Sequence, residues 1–159
     1  MKLRPSTFAF LGALTGLAGL VGCGRSDSAA TPESRFVVTV NDQFKISPSQ
    51  LSCEAGRAIV IHVTNTIPKT GPDIAHNLIV LDSSVDADAF GQAALTAAAE
   101  YNYIPGQFRS RVLARTQLLH PGDSADLAFT APSMPGAYPI LCAFPGHCGL
   151  GMRATLTVR

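Results

Sequence analysis

The chain has 159 residues, of which 47% are hydrophobic and 14% are charged, a composition that allows one domain with a well-filled core. Its 12 Lys and Arg residues and 11 Asp and Glu residues leave a formal net charge of +1. This balance provides no basic field for nucleic acid, so we expect no nucleic-acid partner. It also argues against strong electrostatic steering of any other partner.

The first residues have the features of an export signal. Lys2 and Arg4 precede an apolar run over residues 8–21, which is short for a membrane span. The run ends in Leu-Val-Gly-Cys at 20–23, which resembles the lipobox of bacterial lipoproteins. We therefore expect residues 1–22 to be a lipoprotein signal peptide and Cys23 to be acylated. An ordinary cleaved signal and a retained anchor are the alternatives.

The segment after the signal is predicted to be a tether. Residues 24–34 are mostly Ser, Ala, Asp, Thr and Pro, with no apolar periodicity. A flexible segment of that length has a root-mean-square reach of roughly 18 Å. We expect a lipidated flexible tether over residues 23–34 that holds a domain of residues 35–159 near a membrane, in the periplasm or elsewhere outside the cytoplasm.

Short apolar or alternating runs, separated by turns with Gly and Pro, predict a series of β-strands in the domain. In chain order these strands cover residues 36–40, 44–46, 58–64, 76–81, 112–114, 118–119, 125–130, 138–141 and 154–158. Alternation places His62 on the face opposite Ile61, so we expect a surface or cross-strand histidine. His120 lies in a His-Pro-Gly-Asp turn and is expected in a solvated loop.

Residues 83–101 differ from their surroundings because they are rich in alanine. Asp86 and Asp88 stand near the start, where a helix dipole favours anions. A helical face is predicted for Phe90, Ala94, Ala97, Ala98 and Tyr101. We expect one helix that packs on the sheet and carries no chemistry. The predicted fold is therefore all-β, a Greek-key β-sandwich with one helical insertion outside the sandwich.

The stretch with the clearest chemistry is residues 142–152, Cys-Ala-Phe-Pro-Gly-His-Cys-Gly-Leu-Gly-Met. It places a thiol, an imidazole and a thioether on one short loop. His76, at the start of a predicted strand, is the candidate for a second imidazole. Two His and one Cys in a plane with a weak axial Met is the arrangement of blue-copper sites. These residues therefore predict a mononuclear copper site.

At these residues the chain resembles the cupredoxins, and specifically the azurin and auracyanin group. The resemblance rests on the Cys-x-Phe-Pro-Gly-His run at 142–147, on His76-Asn77 and on Thr-Leu-Thr-Val at 155–158. Weaker similarity runs from about residue 36 to residue 159, including Tyr103-x-Pro105 and residues 111–119. The resemblance implies a cupredoxin-like sandwich, and the helical insertion corresponds in position to the helical flap of azurins.

The resemblance also implies roles for single residues. The ligands of one type 1 copper ion would be His76, Cys142, His147 and Met152. The backbone carbonyl of Ala75 would be a weak fifth contact, and Asn77 would brace the two ligand loops by hydrogen bonds. The sequence departs from azurins in two places. His147 to Met152 spans one residue more, and Ala143 replaces a residue that usually carries a hydroxyl.

The function that the resemblance implies is electron transfer rather than enzyme catalysis. We expect a monomeric one-electron carrier that cycles Cu(I) and Cu(II) between a redox protein donor and acceptor, such as cytochromes or a terminal reductase or oxidase. An apolar docking patch around His147 would include Phe144, Pro145 and Leu150, with Ile74 as a further candidate. One alternative is a copper storage or delivery module. A less favoured one is a thiol-redox protein that uses Cys142 and Cys148.

Cys53 and Cys148 invite a disulfide, but the predicted topology argues against one. Cys53 precedes the strand at 58–64, which runs toward the loop that ends at His76, so Cys53 is expected at the end opposite the copper site. The separation is roughly 25 Å, whereas a disulfide needs Cα atoms within about 7 Å. Cys53 is then free unless Cys23 bonds it. Cys148 is expected on a loop near the surface, either pointing away from copper or acting as an alternative ligand or redox-sensitive thiol.

Overall fold

A computed structural model describes residues 33–159. The expected signal peptide, Cys23 and the tether up to residue 32 lie outside the described residues. The first strand begins at Glu33, two residues before the expected start of the domain, so the last two residues of the predicted tether belong to a strand. In the part of the chain that the structure describes, no helix is long and apolar enough to cross a membrane.

The described residues form nine β-strands, one α-helix and two short 3₁₀ helices. In chain order the strands are β1 (Glu33–Val40), β2 (Ile46–Ser47), β3 (Gln50–Cys53), β4 (Ala58–Asn65), β5 (Ile79–Leu81), β6 (Val112–Arg115), β7 (Ser124–Thr130), β8 (Gly136–Leu141) and β9 (Arg153–Val158). Helix α1 (Ala87–Ala94) and the 3₁₀ helices Ala99–Tyr101 and Gly106–Arg111 lie between β5 and β6.

The strands form two sheets with the orders β2-β1-β4-β7 and β3-β9-β8-β5-β6. Strands β1 and β4 pair in parallel, as do β3 and β9, so both pairs require crossovers between the sheets. Buried aliphatic side chains from both sheets, including Val38, Ile61, Ile140 and Leu156, form the inner core between them. The prediction of an all-β sandwich with a helical insertion outside it is confirmed.

A second apolar layer, the outer core, lies on the other face of the five-stranded sheet. Alternation along β5 sends Val80 into the inner core, whereas Ile79 and Leu81 join the outer core with Phe90 and Ala94 of α1. Strand β5 is therefore buried on both faces, which explains its continuous apolar sequence. The helical insertion is needed to cover the outer face of this strand.

The predicted helix over residues 83–101 is shorter than expected. Asp86 caps α1 by accepting the Ala89 N–H at 2.7 Å, but the helix ends at Ala94. Ala98 and Tyr101 are exposed, so the predicted apolar face continues only to Ala94. The run after Ala94 is alanine-rich and does not disfavour helix. The physical reason is tertiary, because Asn102 has a positive φ and its carbonyl accepts a hydrogen bond from Asn77.

Three predicted strands also differ from the structure. The strand predicted at 118–119 is not formed, and Leu119 makes only an isolated bridge. Phe44 is not part of β2, because its φ of 57° ends any extended conformation there. The strand predicted at 76–81 is regular only from Ile79, and His76 pairs with Leu119 in an isolated bridge. The predictions for the remaining histidines are confirmed, since His62 is exposed opposite Asp126 on β7 and His120 is exposed in a loop beside Asp73.

Asn65 fixes the loop that leads from β4 to His76. Its buried side chain donates to the Ile74 carbonyl at 2.9 Å and to the Leu119 carbonyl at 3.0 Å. The His76 N–H in turn donates to the Leu119 carbonyl at 3.0 Å. One amide therefore joins three chain segments, which holds His76 at the end of the sandwich where β4 finishes.

Candidate metal centre

The candidate ligands converge at one end of the sandwich, which we call the copper pole. Strand β8 ends at Leu141 and delivers Cys142, whereas β9 begins at Arg153 directly after Met152. These strands are antiparallel neighbours with Leu141 opposite Arg153, so the two sulfur residues meet at the same end. The Cys142 N–H donates to the Met152 carbonyl at 3.2 Å, which closes residues 142–152 into the ligand loop.

His76, Cys142 and His147 present one nitrogen or sulfur atom each within 4.8 Å of one another. The Cys142 Sγ lies 3.5 Å from His147 Nδ1, and the centroids of the two imidazole rings are 5.0 Å apart. All three side chains are buried, and Met152 is fully buried with Cys142 in the inner core. Residues from two distant parts of the chain thus form one compact set of soft and borderline donor atoms.

His76 shows most clearly that the cluster suits a metal ion. The side chain is fully buried, and neither of its ring nitrogens has a hydrogen-bond partner among the described residues. A buried nitrogen without a partner costs about 1–3 kcal/mol. A metal ion bound by His76, His147 and the Cys142 thiolate would satisfy one of these nitrogens, so the residues present fit copper.

Backbone hydrogen bonds give the ligand loop its shape. The His147 N–H donates to the Phe144 carbonyl, and the Met152 N–H donates to the His147 carbonyl, both at 3.1 Å. Gly146 and Gly151 have φ values of 86° and 88°, which side-chain-bearing residues rarely adopt. These two glycines allow the loop to turn between Phe144 and Met152, so that His147 and Met152 share one loop although four residues lie between them.

Asn77 connects the two ligand-bearing segments. Its Oδ1 accepts the Ala143 N–H at 2.7 Å, and its Nδ2 donates to the Asn102 carbonyl at 2.9 Å. Asn77 follows His76 and Ala143 follows Cys142, so one side chain fixes the distance between two candidate ligands. The sequence did not predict a role for Asn102. Its side chain donates a hydrogen bond to the Gln117 side chain at 2.8 Å, which extends the network to a further segment.

The family model for copper-binding proteins of the plastocyanin/azurin family matches residues 33–159. The chain belongs to this family. It is also 29% identical over 117 residues to auracyanin-B of Chloroflexus aurantiacus, an alignment that covers 74% of this chain and 48% of the relative. The chain thus spans about half the length of this curated relative.

Solved structures of family members agree in fold. Auracyanin A of Chloroflexus aurantiacus, described as a blue copper protein, aligns with a TM-score of 0.69 and 25% identity over 80% of this chain and 100% of its own. The dithionite-reduced auracyanin of Roseiflexus castenholzii aligns with a TM-score of 0.68 and 26% identity over 79% of this chain and 97% of its own. Copper is therefore the cofactor, and His76, Cys142 and His147 with Met152 form a cluster like a type 1 copper site.

Aromatic side chains enclose the plastocyanin/azurin-type cluster, and sequence reasoning missed two of them. Phe44 lies 4.8 Å from His147 between ring centroids, and Phe144 stacks on His147 at 4.6 Å. Tyr103, with a φ of 59°, packs edge-on against Phe144 at 4.9 Å. The sequence feature that could have indicated the position of Phe44 is Asn41. Its side chain accepts the N–H groups of Gln43 and Lys45 and so turns the chain beside the histidines.

Cys148 does not lie near the surface as expected. It is 2% exposed and belongs to the outer core, where its thiol donates to the Ala87 carbonyl at 3.3 Å. It therefore lies on the opposite side of the ligand loop from Cys142, which belongs to the inner core. Cys53 pairs with Val158 at the far end of β9, so Cys53 and Cys148 form no disulfide within the described residues.

The residues of the expected docking patch lie around the loop. Leu150 is 59% exposed, whereas Phe144 and Pro145 are half-buried beside His147. Ile74 is also half-buried, and Ala75 is buried next to His76. His147 itself is 6% exposed, so it is the candidate ligand with measurable access to solvent.

Burial sets the protonation of the metal-free cluster. It raises the pKa of Cys142 to about 11, and together with nearby His76 it lowers the pKa of His147 to about 4. Burial also lowers the pKa of His76. At neutral pH both imidazoles are therefore neutral and ready to ligate, whereas the thiol must lose its proton before it can bind a metal ion.

We predict that copper(II) binding releases about one proton per ion between roughly pH 7 and pH 9, because both imidazoles are already neutral there and only Cys142 must lose a proton. The apparent affinity should then rise about tenfold per pH unit across that range. Calorimetry in two buffers of different ionisation enthalpy measures the proton count. The Cys142→Ser variant should release no proton, and the Cys148→Ala variant should still release one. A wild-type protein that releases no proton would contradict the prediction.

Proposed function

We propose that this protein is an extracytoplasmic one-electron carrier that holds one copper ion at His76, Cys142, His147 and Met152. Copper, when bound, supplies the Cu(I)/Cu(II) couple. The observation that carries the proposal is the buried cluster itself, in which His76 has two nitrogens without partners beside a thiol and a second imidazole. The family membership supports the same conclusion.

The surroundings of the cluster favour electron transfer over chemistry on a substrate. An electron carrier gains from ligands that move little between oxidation states, and here Asn77, Asn65 and the ligand-loop hydrogen bonds fix the candidate ligands in advance. Phe44 and Phe144 pack on His147 and leave it 6% exposed. Met152 would be a weak ligand to copper and would tune its potential, and the Ala75 carbonyl would be a weak further contact.

The same features weigh against the two alternatives. A storage or delivery module must release its ion readily, whereas this cluster is enclosed and held by hydrogen bonds from several segments. A thiol-redox protein needs two thiols that can meet, whereas Cys142 and Cys148 belong to the inner and outer cores on opposite sides of the loop. Burial also raises the pKa of both thiols, which disfavours the reactive thiolate.

The visible and electron paramagnetic resonance spectra of the domain loaded with Cu(II) test the proposal. We expect intense blue thiolate-to-copper absorption and a narrow copper hyperfine splitting in the wild type, because the Cys142 thiolate would hold copper together with two imidazoles. Cys142→Ala should abolish both signals, and Cys148→Ala should keep them. A colourless or ordinary tetragonal wild-type protein would exclude the electron-carrier function.

We also propose that donor and acceptor proteins dock at the apolar surface formed by Phe144, Pro145 and Leu150. Leu150 is 59% exposed and lies three residues after His147, which is the one candidate ligand with an exposed fraction above zero. Small apolar surfaces suit brief and weakly selective encounters. The docking partners would be cytochromes or a terminal reductase or oxidase, and the carrier itself would be a monomer.

For this patch we predict that Leu150→Asp slows electron exchange with a small c-type cytochrome by roughly tenfold, because a charge enters the centre of a small apolar contact. Leu113→Asp is the matched control, since Leu113 is 39% exposed on β6, outside the ligand loop. Stopped-flow mixing at constant ionic strength gives both rates. Equal rates for the two variants, with copper spectra intact, would contradict the proposed docking surface.

We further propose that a lipid on Cys23 anchors the protein to a membrane through a tether. The position of Glu33 supports this arrangement. It pairs with Ala58 at the start of β4, whereas Val40 pairs with Asn65 at the end of β4 that leads to His76. A chain that enters at Glu33 therefore approaches the sandwich at the end opposite the copper pole, which leaves that pole free for redox partners.

We predict that cells expressing the full chain incorporate labelled palmitate into the wild type and Cys53→Ala but not into Cys23→Ala, because Cys23 is the proposed acylation site. Membrane fractionation should recover the mature wild type and Cys53→Ala proteins in the membrane fraction. It should recover no mature Cys23→Ala protein there. An unlabelled wild-type protein would show that the signal is not of the lipoprotein type.

A further inference from the structure

Three contacts join helix α1 to the ligand loop, and the site described above uses none of them. The first two involve Cys148, which lies between His147 and Met152 in the chain. Its thiol donates to the Ala87 carbonyl at 3.3 Å. A methyl group at Gly91 would lie 3.0 Å from the Cys148 Sγ and 3.1 Å from its Cβ, closer than side chains normally approach. Glycine at 91 thus lets α1 rest directly on the loop.

The third contact is a two-sided bridge from Arg153. Its Nε donates to the Cys148 carbonyl at 2.9 Å, and its second guanidinium edge donates to Asp88 at 2.5 Å. Arg153 follows Met152 directly, and Asp88 is in the first turn of α1. A planar guanidinium can serve both acceptors at once, which an ammonium cannot do equally well.

Helix α1 is a firm support for these contacts. Phe90 and Ala94 are buried in the outer core against Ile79 and Leu81 of β5, and the Asp86 side chain caps the first turn. The loop it touches is less firm by itself, since residues 146, 149 and 151 are all glycine. A glycine-rich loop loses much backbone entropy when it is ordered, so external contacts matter to its shape.

We infer that α1 and Arg153 clamp the ligand loop, and that Arg153 is a positioning residue that holds His147 and Met152 in place before copper binds. The clamp acts from the outer side of the loop through Cys148, whereas Asn77 acts from the inner end through Ala143. This inference rests on the proposed function in taking His147 and Met152 as ligands. Its effect is to slow copper loss and to keep the ligand positions constant between oxidation states.

Hydrogen exchange in the metal-free protein tests the clamp without reference to copper. The amides to follow are those of Leu150, Gly151 and Met152, which donate within the loop. Arg153→Met and Gly91→Ala should accelerate their exchange roughly tenfold, and Asp88→Asn roughly threefold because the Asp88 side chain is 79% exposed. Arg153→Lys should restore only part of the protection. Glu33→Gln, which removes the carboxylate of the exposed pair with Arg35, is the matched control.

The amides of β4 provide the internal reference. If a variant accelerates β4 and loop amides equally, Arg153 or Gly91 stabilises the whole fold and the proposal is wrong. It is equally wrong if exchange of the loop amides in Arg153→Met and Gly91→Ala stays within about twofold of Glu33→Gln, a difference too small for a lost hydrogen bond.

The copper-loaded protein gives a second readout. Transfer of Cu(I) to an excess of chelator should be roughly tenfold faster in Arg153→Met than in Glu33→Gln, with a changed hyperfine splitting in the Cu(II) form. Unchanged transfer rates and spectra in Arg153→Met would overturn the inferred role in holding the ligands. A wild-type protein without a blue site would instead overturn the proposed function, while the exchange experiment on the metal-free protein would still decide whether the clamp exists.

Discussion

The structure depends on the burial of two imidazoles and a thiol next to one another without enough hydrogen-bond partners. Each buried nitrogen that lacks a partner costs about 1–3 kcal/mol, and His76 has two of them. Folding must offset this cost through the inner core, to which both sheets contribute. The cluster is therefore a locally unfavourable arrangement that the rest of the sandwich imposes, and a bound metal ion would offset part of its cost.

The pairing of the strands explains why the buried cluster of imidazoles and thiol persists. Antiparallel pairing of β8 with β9 brings Cys142 and Met152 to the same end, and the bridge between His76 and Leu119 adds the distant imidazole. The side-chain amides of Asn65 and Asn77 then fix the segments that the sheets leave irregular. Because these polar groups are buried and paired, movement of any ligand segment breaks a hydrogen bond that water cannot readily replace.

Local patterns in the sequence were sufficient to predict the features that depend on neighbouring residues. The ligand loop could be recognised from Cys142, His147 and Met152 because three donors within eleven residues are rare outside metal sites. The longer strands followed from alternation, and the presence of a helix near Asp86 and Asp88 followed from the anions that the start of a helix dipole favours.

The errors occurred where tertiary contacts decide the conformation. Residues 95–101 have helical propensity, yet the chain turns at Asn102, where Asn77 and Gln117 bind it. Phe44 adopts a positive φ in a turn that Asn41 holds, and its ring there contacts His147. Cys148 could not be placed in the outer core from sequence, because that requires knowing that α1 lies over the loop.

These contacts place the ligand loop between two supports of different chemistry. On the inner side Asn77 and the rings of Phe44 and Phe144 restrict His147 and the Cys142 backbone. On the outer side α1 meets Cys148 through a thiol hydrogen bond and a close glycine contact. A loop rich in glycine would otherwise sample many conformations, and a carrier whose ligands rearranged with each electron would transfer slowly. Rigid support from both faces is therefore what makes this flexible sequence suitable for an electron-transfer site.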